Sequence, residues 1–216
     1  MAVIPGQKRK QPEDETQRQY ENNLFEIHMK HGSQCLQEGK DEKAEEAYAK
    51  AVQLDPEHAV AHIKLGNVRL KQKKWADAEQ ALAKAVELKP EDANTLFWLG
   101  YVRLKQKKWA DAEQALAKAV QLDPEYAEAH SGLGAARLTQ EKWAEAEAAL
   151  AKAVQLKPGD AYTLFWLGDA LAEQKKRKQA KEAYAMAVKK TSPEETAERL
   201  YAGRFNAKNE EEEEDA

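Results

Sequence analysis

Residues 68–86 read VRLKQKKWADAEQALAKAV, and residues 102–120 read the same nineteen letters in the same order. The offset is 34, and it governs far more of the chain than this one duplication. Gly32, Gly66, Gly100, Gly134 and Gly168 fall 34 apart, as do Ala44, Ala78, Ala112, Ala146 and Ala180. Ala51, Ala85, Ala119, Ala153 and Ala187 keep the interval. Pro56, Pro90, Pro124 and Pro158 follow it too, and the last repeat slips by one to Pro193. Self-similarity at such a period marks a stacked repeat, produced by duplication or by assembly from one module.

Each repeat reads as two helices. In the unit 93–126 the first helix is expected from about Ala93 to Gln106 and the second from about Ala110 to Leu122. Lys107-Lys108 links them, and Pro124 stops the second helix and resets the chain. Gly100 and Ala112 let the two backbones approach, while Leu99, Leu116, Ala119 and Val120 fill the seam. Composition agrees: with 33% charged residues, ten Gly and seven Pro, the chain is rich in Ala, Glu, Lys, Gln and Leu. The expected class is all-α. A hairpin this thin cannot bury enough surface to stand alone, so its neighbours must stack on it.

The order of small, large and turn positions, Leu65-Gly66, Ala78, Leu82, Ala85 and Pro90 with their equivalents in every unit, resembles the tetratricopeptide repeat family. The likeness covers roughly residues 25–194, as units 25–58, 59–92, 93–126, 127–160 and 161–194. It implies a right-handed α-solenoid of five helix-turn-helix units that binds partner peptides or proteins on a concave face lined by the first helices. Arg69, Arg103 and Arg137 replace the aromatic expected late in the first helix, and Glu79, Glu113 and Glu147 occupy a usually apolar position of the second. Units with that Arg also have Trp75, Trp109 or Trp143 at the turn, which predicts an Arg–Glu ladder with the Arg stem beneath the Trp.

The array is expected to span 16–207 between a tail at 1–15 and a disordered acidic tail at 208–216, where Glu210 to Asp215 repel one another. Tyr20, Leu24, Ile27 and His31 continue a stripe that starts the first helix near Thr16. Ser192-Pro193-Glu194-Glu195 signals a capping helix at about 193–202 with Leu200 and Tyr201. No run approaches the ~20 apolar residues of a membrane span, and none near Met1 has signal-peptide length. With the single Cys35, the expected compartment is the cytoplasm.

The face of 93–105 turned away from its partner helix carries Asn94, Phe97, Trp98, Tyr101, Leu104 and Lys105. The unit 161–194 repeats this with Tyr162, Phe165 and Trp166, while the unit between offers only Ser131, Gly132 and Ala135. Two aromatic rungs across a bare one predict a slot for a bulky apolar anchor, with Ile63 and Asn67 extending the face. The predicted function is a protein-interaction adaptor. A self-assembling, homo-oligomeric scaffold is the alternative, and a helical-repeat RNA binder would want a polar, basic face instead.

His28, His31 and Cys35 share one helix face and are the only candidate metal ligands, although His62 and His130 at the position of His28 suggest that a His there simply packs. Lysines at the turns, among them Lys71, Lys74, Lys107 and Lys176, predict a basic edge. The chain carries no Gly-rich phosphate loop, no HExxH and no nucleophile with a His partner, so neither a catalytic residue nor a cofactor is expected.

Overall fold

The computed structural model describes residues 12–191, and among them it contains ten α-helices and no strand. The expected capping helix and acidic tail lie outside the described residues. Two compact units divide the chain, Met1–Pro90 and Glu91–Ala216. In the first, α1 (Pro12–Gln37) pairs with α2 (Asp41–Leu54), and α3 (Ala59–Lys71) with α4 (Trp75–Leu88). In the second, α5 (Ala93–Lys105) pairs with α6 (Trp109–Leu122), α7 (Ala127–Leu138) with α8 (Trp143–Leu156), and α9 (Ala161–Glu173) with α10 (Arg177–Val188). Within each unit, successive hairpins stack on one another.

Close approach within a hairpin depends on the repeated glycine. A Cβ at Gly66 would lie 2.7 Å from Leu82 Cγ, and one at Gly100 would lie 2.5 Å from Leu116 Cγ. In the first and last hairpins the opposing residue is Tyr48 or Tyr184, whose hydroxyls bond Ser33 Oγ at 3.0 Å and Asp169 Oδ1 at 2.9 Å. The repeated alanines complete the seam: Ala44, Ala78, Ala112 and Ala146 are all fully buried.

α1 departs from expectation twice. It begins at Pro12, a turn before Thr16, because proline presets φ at the first helical position. Its stripe is also rotated. Contact between Gly32 and Tyr48 fixes the register and turns Phe25 and Cys35 inward, leaving Tyr20 63% and Ile27 60% exposed.

Every first helix of a hairpin ends in the same turn. Lys74 N–H bonds Arg69 O at 2.9 Å and Lys73 N–H bonds Leu70 O at 2.9 Å, the paired bonds of a Schellman motif. The same bonds recur at Gly39-Lys40, Lys107-Lys108, Glu141-Lys142 and Lys175-Lys176. The first residue of each pair is left-handed, with φ 72° at Gly39 but 59–61° at Lys73, Lys107, Glu141 and Lys175. A side chain there costs about 1 kcal/mol that glycine avoids. Lys107→Gly is therefore expected to raise the unfolding free energy by roughly 0.5–1 kcal/mol, read as a higher midpoint in urea. A lower midpoint would show that the turn carries no strain.

Within the units the ladder forms at two arginines, each reaching back one hairpin. Arg69 Nε donates to Glu45 Oε1 at 2.9 Å and Arg137 Nε to Glu113 Oε1 at 3.0 Å. Their Nη1 atoms donate to Asp77 O at 3.2 Å and Glu145 O at 3.3 Å, so each guanidinium joins helices of two hairpins. Where α9 has Leu171 in place of arginine, Glu147 keeps only the bonds from Lys176 and Gln174, the counterparts of Lys142 and Gln140 at Glu113. The basic edge expected at the turns is thus partly neutralised. Lys71 meets Asp41 at 2.7 Å, and Lys74, Lys142 and Lys176 meet Glu45, Glu113 and Glu147 at 2.6 Å.

These bonds set an acid limit on stability. Burial pushes the Glu113 carboxyl up, but hydrogen bonds from Lys142, Arg137 and Gln140 outweigh it and hold the group below its ordinary value. At Glu45 burial likewise acts upward and Lys74 and Arg69 prevail; at Glu147 the Lys176 bond is the leading cause of a lowered value. A depressed carboxyl stabilises fully above its unfolded pKa and loses that contribution as pH falls through its folded one. The thermal midpoint is expected to be flat around neutrality and to fall below about pH 4.5. Glu113→Gln should cost about 2 kcal/mol at pH 7 and make the acid limb shallower. An unchanged limb would place the acid sensitivity elsewhere.

Candidate peptide groove of the second unit

A groove of about 620 Å³ opens along α7, between α5 and α9. Its floor is bare because α7 presents Gly132 and Ala135, below which lie Leu116 and Leu104. A Cβ at Gly132 would already stand 3.2 Å from Leu116 Cδ2. Phe97, Tyr101 and Trp109 form the wall on the α5–α6 side, and Tyr162 and Trp166 the wall on α9. Tyr162 is 56% exposed.

Other expected residues take different places. Trp98 is half-buried and stands outside the lining, edge-on to Phe97 at 5.0 Å and to Tyr101 at 5.8 Å. The face expected to be open is thus a half-buried cluster, completed by Tyr126 at 5.0 Å from Phe97. Burial, with Glu128, Asp123 and Asp92 nearby, pushes the Tyr126 phenol up to about 12. Phe165 leaves the groove altogether: it is 5% exposed, packed with Leu164 and Ala187. The cause is Tyr184, which stands where the three middle hairpins have leucine and reaches the Phe165 ring at 6.4 Å. Ser131 lines the groove but is only 8% exposed, its hydroxyl 2.5 Å from Thr163 Oγ1. Ile63 and Asn67 are half-buried on α3 of the first unit, and the groove does not draw on them.

Sequence reading missed the polar end. Asp160 caps α9, accepting from Tyr162 N at 3.3 Å and from the Thr163 hydroxyl, and its carboxylate lines the groove. Beside it Lys157 donates to Glu128 at 2.8 Å, the main reason the Glu128 carboxyl sits below its ordinary value. Asp160-x-x-Thr163 is a capping signal readable in the sequence, whereas Trp109 and Ala153 belong to second helices and Lys157 directly follows one, none of which a wheel of the first helices can show. At the opposite end Lys105 Nζ lies 5.1 Å from the centre of the Tyr101 ring.

The three candidate metal ligands do not converge. Cys35 is 3% exposed in a core with Tyr48 and Leu65, and His31 faces solvent. No cluster of three or more ligating side chains occurs among the described residues. His62 and His130 each bond a proline carbonyl, Pro56 O at 2.8 Å and Pro124 O at 3.0 Å. Among the described residues no helix is long and apolar enough to cross a membrane.

Paired helices of constant period, a glycine at each close crossing and a groove along the first helices define a tetratricopeptide-repeat domain, a class that serves protein–protein interaction as adaptor or scaffold. The profile of the cilia and flagella-associated protein 70 C-terminal domain matches residues 11–202, and the chain belongs to that family. No curated protein matches the sequence. Among solved structures, MamA is similar over 82% of this chain and 96% of its own, with 26% identity and a TM-score of 0.73. YrrB, described as a TPR protein with an unusual peptide-binding site, is 23% identical over 87% and 97% with a TM-score of 0.73. Pseudomonas aeruginosa PilF is 23% identical over 85% and 94%, at 0.67.

Proposed function

We propose that this chain is a non-enzymatic adaptor that holds a peptide or helix of a partner protein in the groove of its second unit. The observation that carries the reading is the bare floor at Gly132 and Ala135 between two aromatic walls. Such a floor leaves apolar surface that the fold itself does not cover, and a large side chain of a partner would bury it. Aromatic walls around a recess are the composition of interface hot spots. Ala135→Phe fills the recess without touching a cap or a hairpin seam. It is expected to weaken capture of the partner at least tenfold, about 1.4 kcal/mol, while the helical circular-dichroism signal persists. Undiminished capture by that variant would move the docking site elsewhere.

A further inference from the structure

The two ends of the groove differ in chemistry, and we propose that it selects a partner segment with a cationic side chain at one end, a bulky apolar anchor in the middle and a carboxylate at the other. This rests on the groove being the docking site. The first helices of successive hairpins run parallel, so their starts share one end of the groove and their last turns the other. At the starting end stand Asp160 and Glu128; Lys157 answers Glu128, which leaves one carboxylate in excess. A carboxylate has about four acceptor positions, and capping α9 takes two at Asp160. The positive end of the α9 dipole offsets part of that charge, so this end attracts a cation weakly.

The last-turn end is built from donors. Lys105 is exposed, with its ammonium over the Tyr101 ring, and the Trp109 indole lines the same end of the groove. Ammonium and indole N–H groups only donate, so together they suit an anion, and Lys105 supplies the charge. Asp160 and Lys105 are thirteen residues of helical register apart, roughly 20 Å along the axis at 1.5 Å per residue, and stand on helices two packing distances apart, roughly 16–20 Å across, so the diagonal between them is about 27 Å. An amphipathic helix of about nineteen residues spans this, presenting its first, eighth and last positions on one face.

The test uses the full chain and three blocked, Ala/Gln-rich helical peptides with tryptophan at the eighth of nineteen positions. One carries lysine first and glutamate last, the second glutamate at both ends, the third lysine at both. Fluorescence anisotropy is expected to show the mixed peptide binding roughly three- to tenfold tighter than either other. Lys105→Glu, an exposed change, should make the double-lysine peptide the best ligand. Equal affinities, or a ranking unmoved by Lys105→Glu, overturn the charge order. If Ala135→Phe still abolishes binding in that case, the docking reading stands. Binding indifferent to Ala135→Phe, or none at millimolar peptide, removes both.

Discussion

Gly134→Val is expected to destabilise the second unit by about 3 kcal/mol. A Cβ at Gly134 falls on Leu150 Cγ, and Leu150 is fully buried with no room to turn. Valine is the better helix former by a few tenths of a kcal/mol, far too little to offset forcing α7 and α8 apart. The thermal midpoint should fall by roughly 10 °C. Gly159→Ala is the control, because nothing lies within 4 Å of a Cβ there and its midpoint should not fall. A Gly134→Val protein as stable as the parent would mean that the hairpins are not held at the spacing described.

Leu116→Ala should cost about as much by the opposite route. Leu116 is fully buried, faces Gly100 across its own hairpin and supports Gly132 of the next one. Truncation leaves a void that neither backbone can close, which costs about 3 kcal/mol in urea unfolding. The same void deepens the groove, so a partner's anchor loses its support and affinity should fall together with stability. Intact affinity in a destabilised Leu116→Ala protein would separate the groove from the seam beneath it.

How much of this could be read from the letters depends on what each letter reports. A glycine or alanine recurring every 34 residues states a spacing between backbones, so hairpins, seams and turn positions were all legible. The arginine ladder was legible as residue types but not as partners, because Arg137 sits closer to Glu113 of the preceding hairpin, at 3.0 Å, than to Glu145 of its own, at 3.6 Å. The groove was legible at Gly132, Ala135, Phe97, Tyr101, Tyr162 and Trp166. It was misread at Phe165, where one ring on a different helix, Tyr184, changed the neighbourhood. A helical wheel assigns sides to one helix at a time and carries no record of what a second helix brings. The stripe on α1 failed for the same reason: Gly32 against Tyr48 sets the rotation, and the apolar letters alone allow more than one.

The lysine after each left-handed turn residue has a consequence for how the array comes apart. Lys74, Lys142 and Lys176 each close the end of one helix through the main chain, open the next, and grip a carboxylate of the hairpin before. Fraying such a corner therefore releases three restraints at once. Local breathing should be suppressed there at neutral pH and unlocked by acid, so that unravelling begins at the corners and spreads hairpin by hairpin.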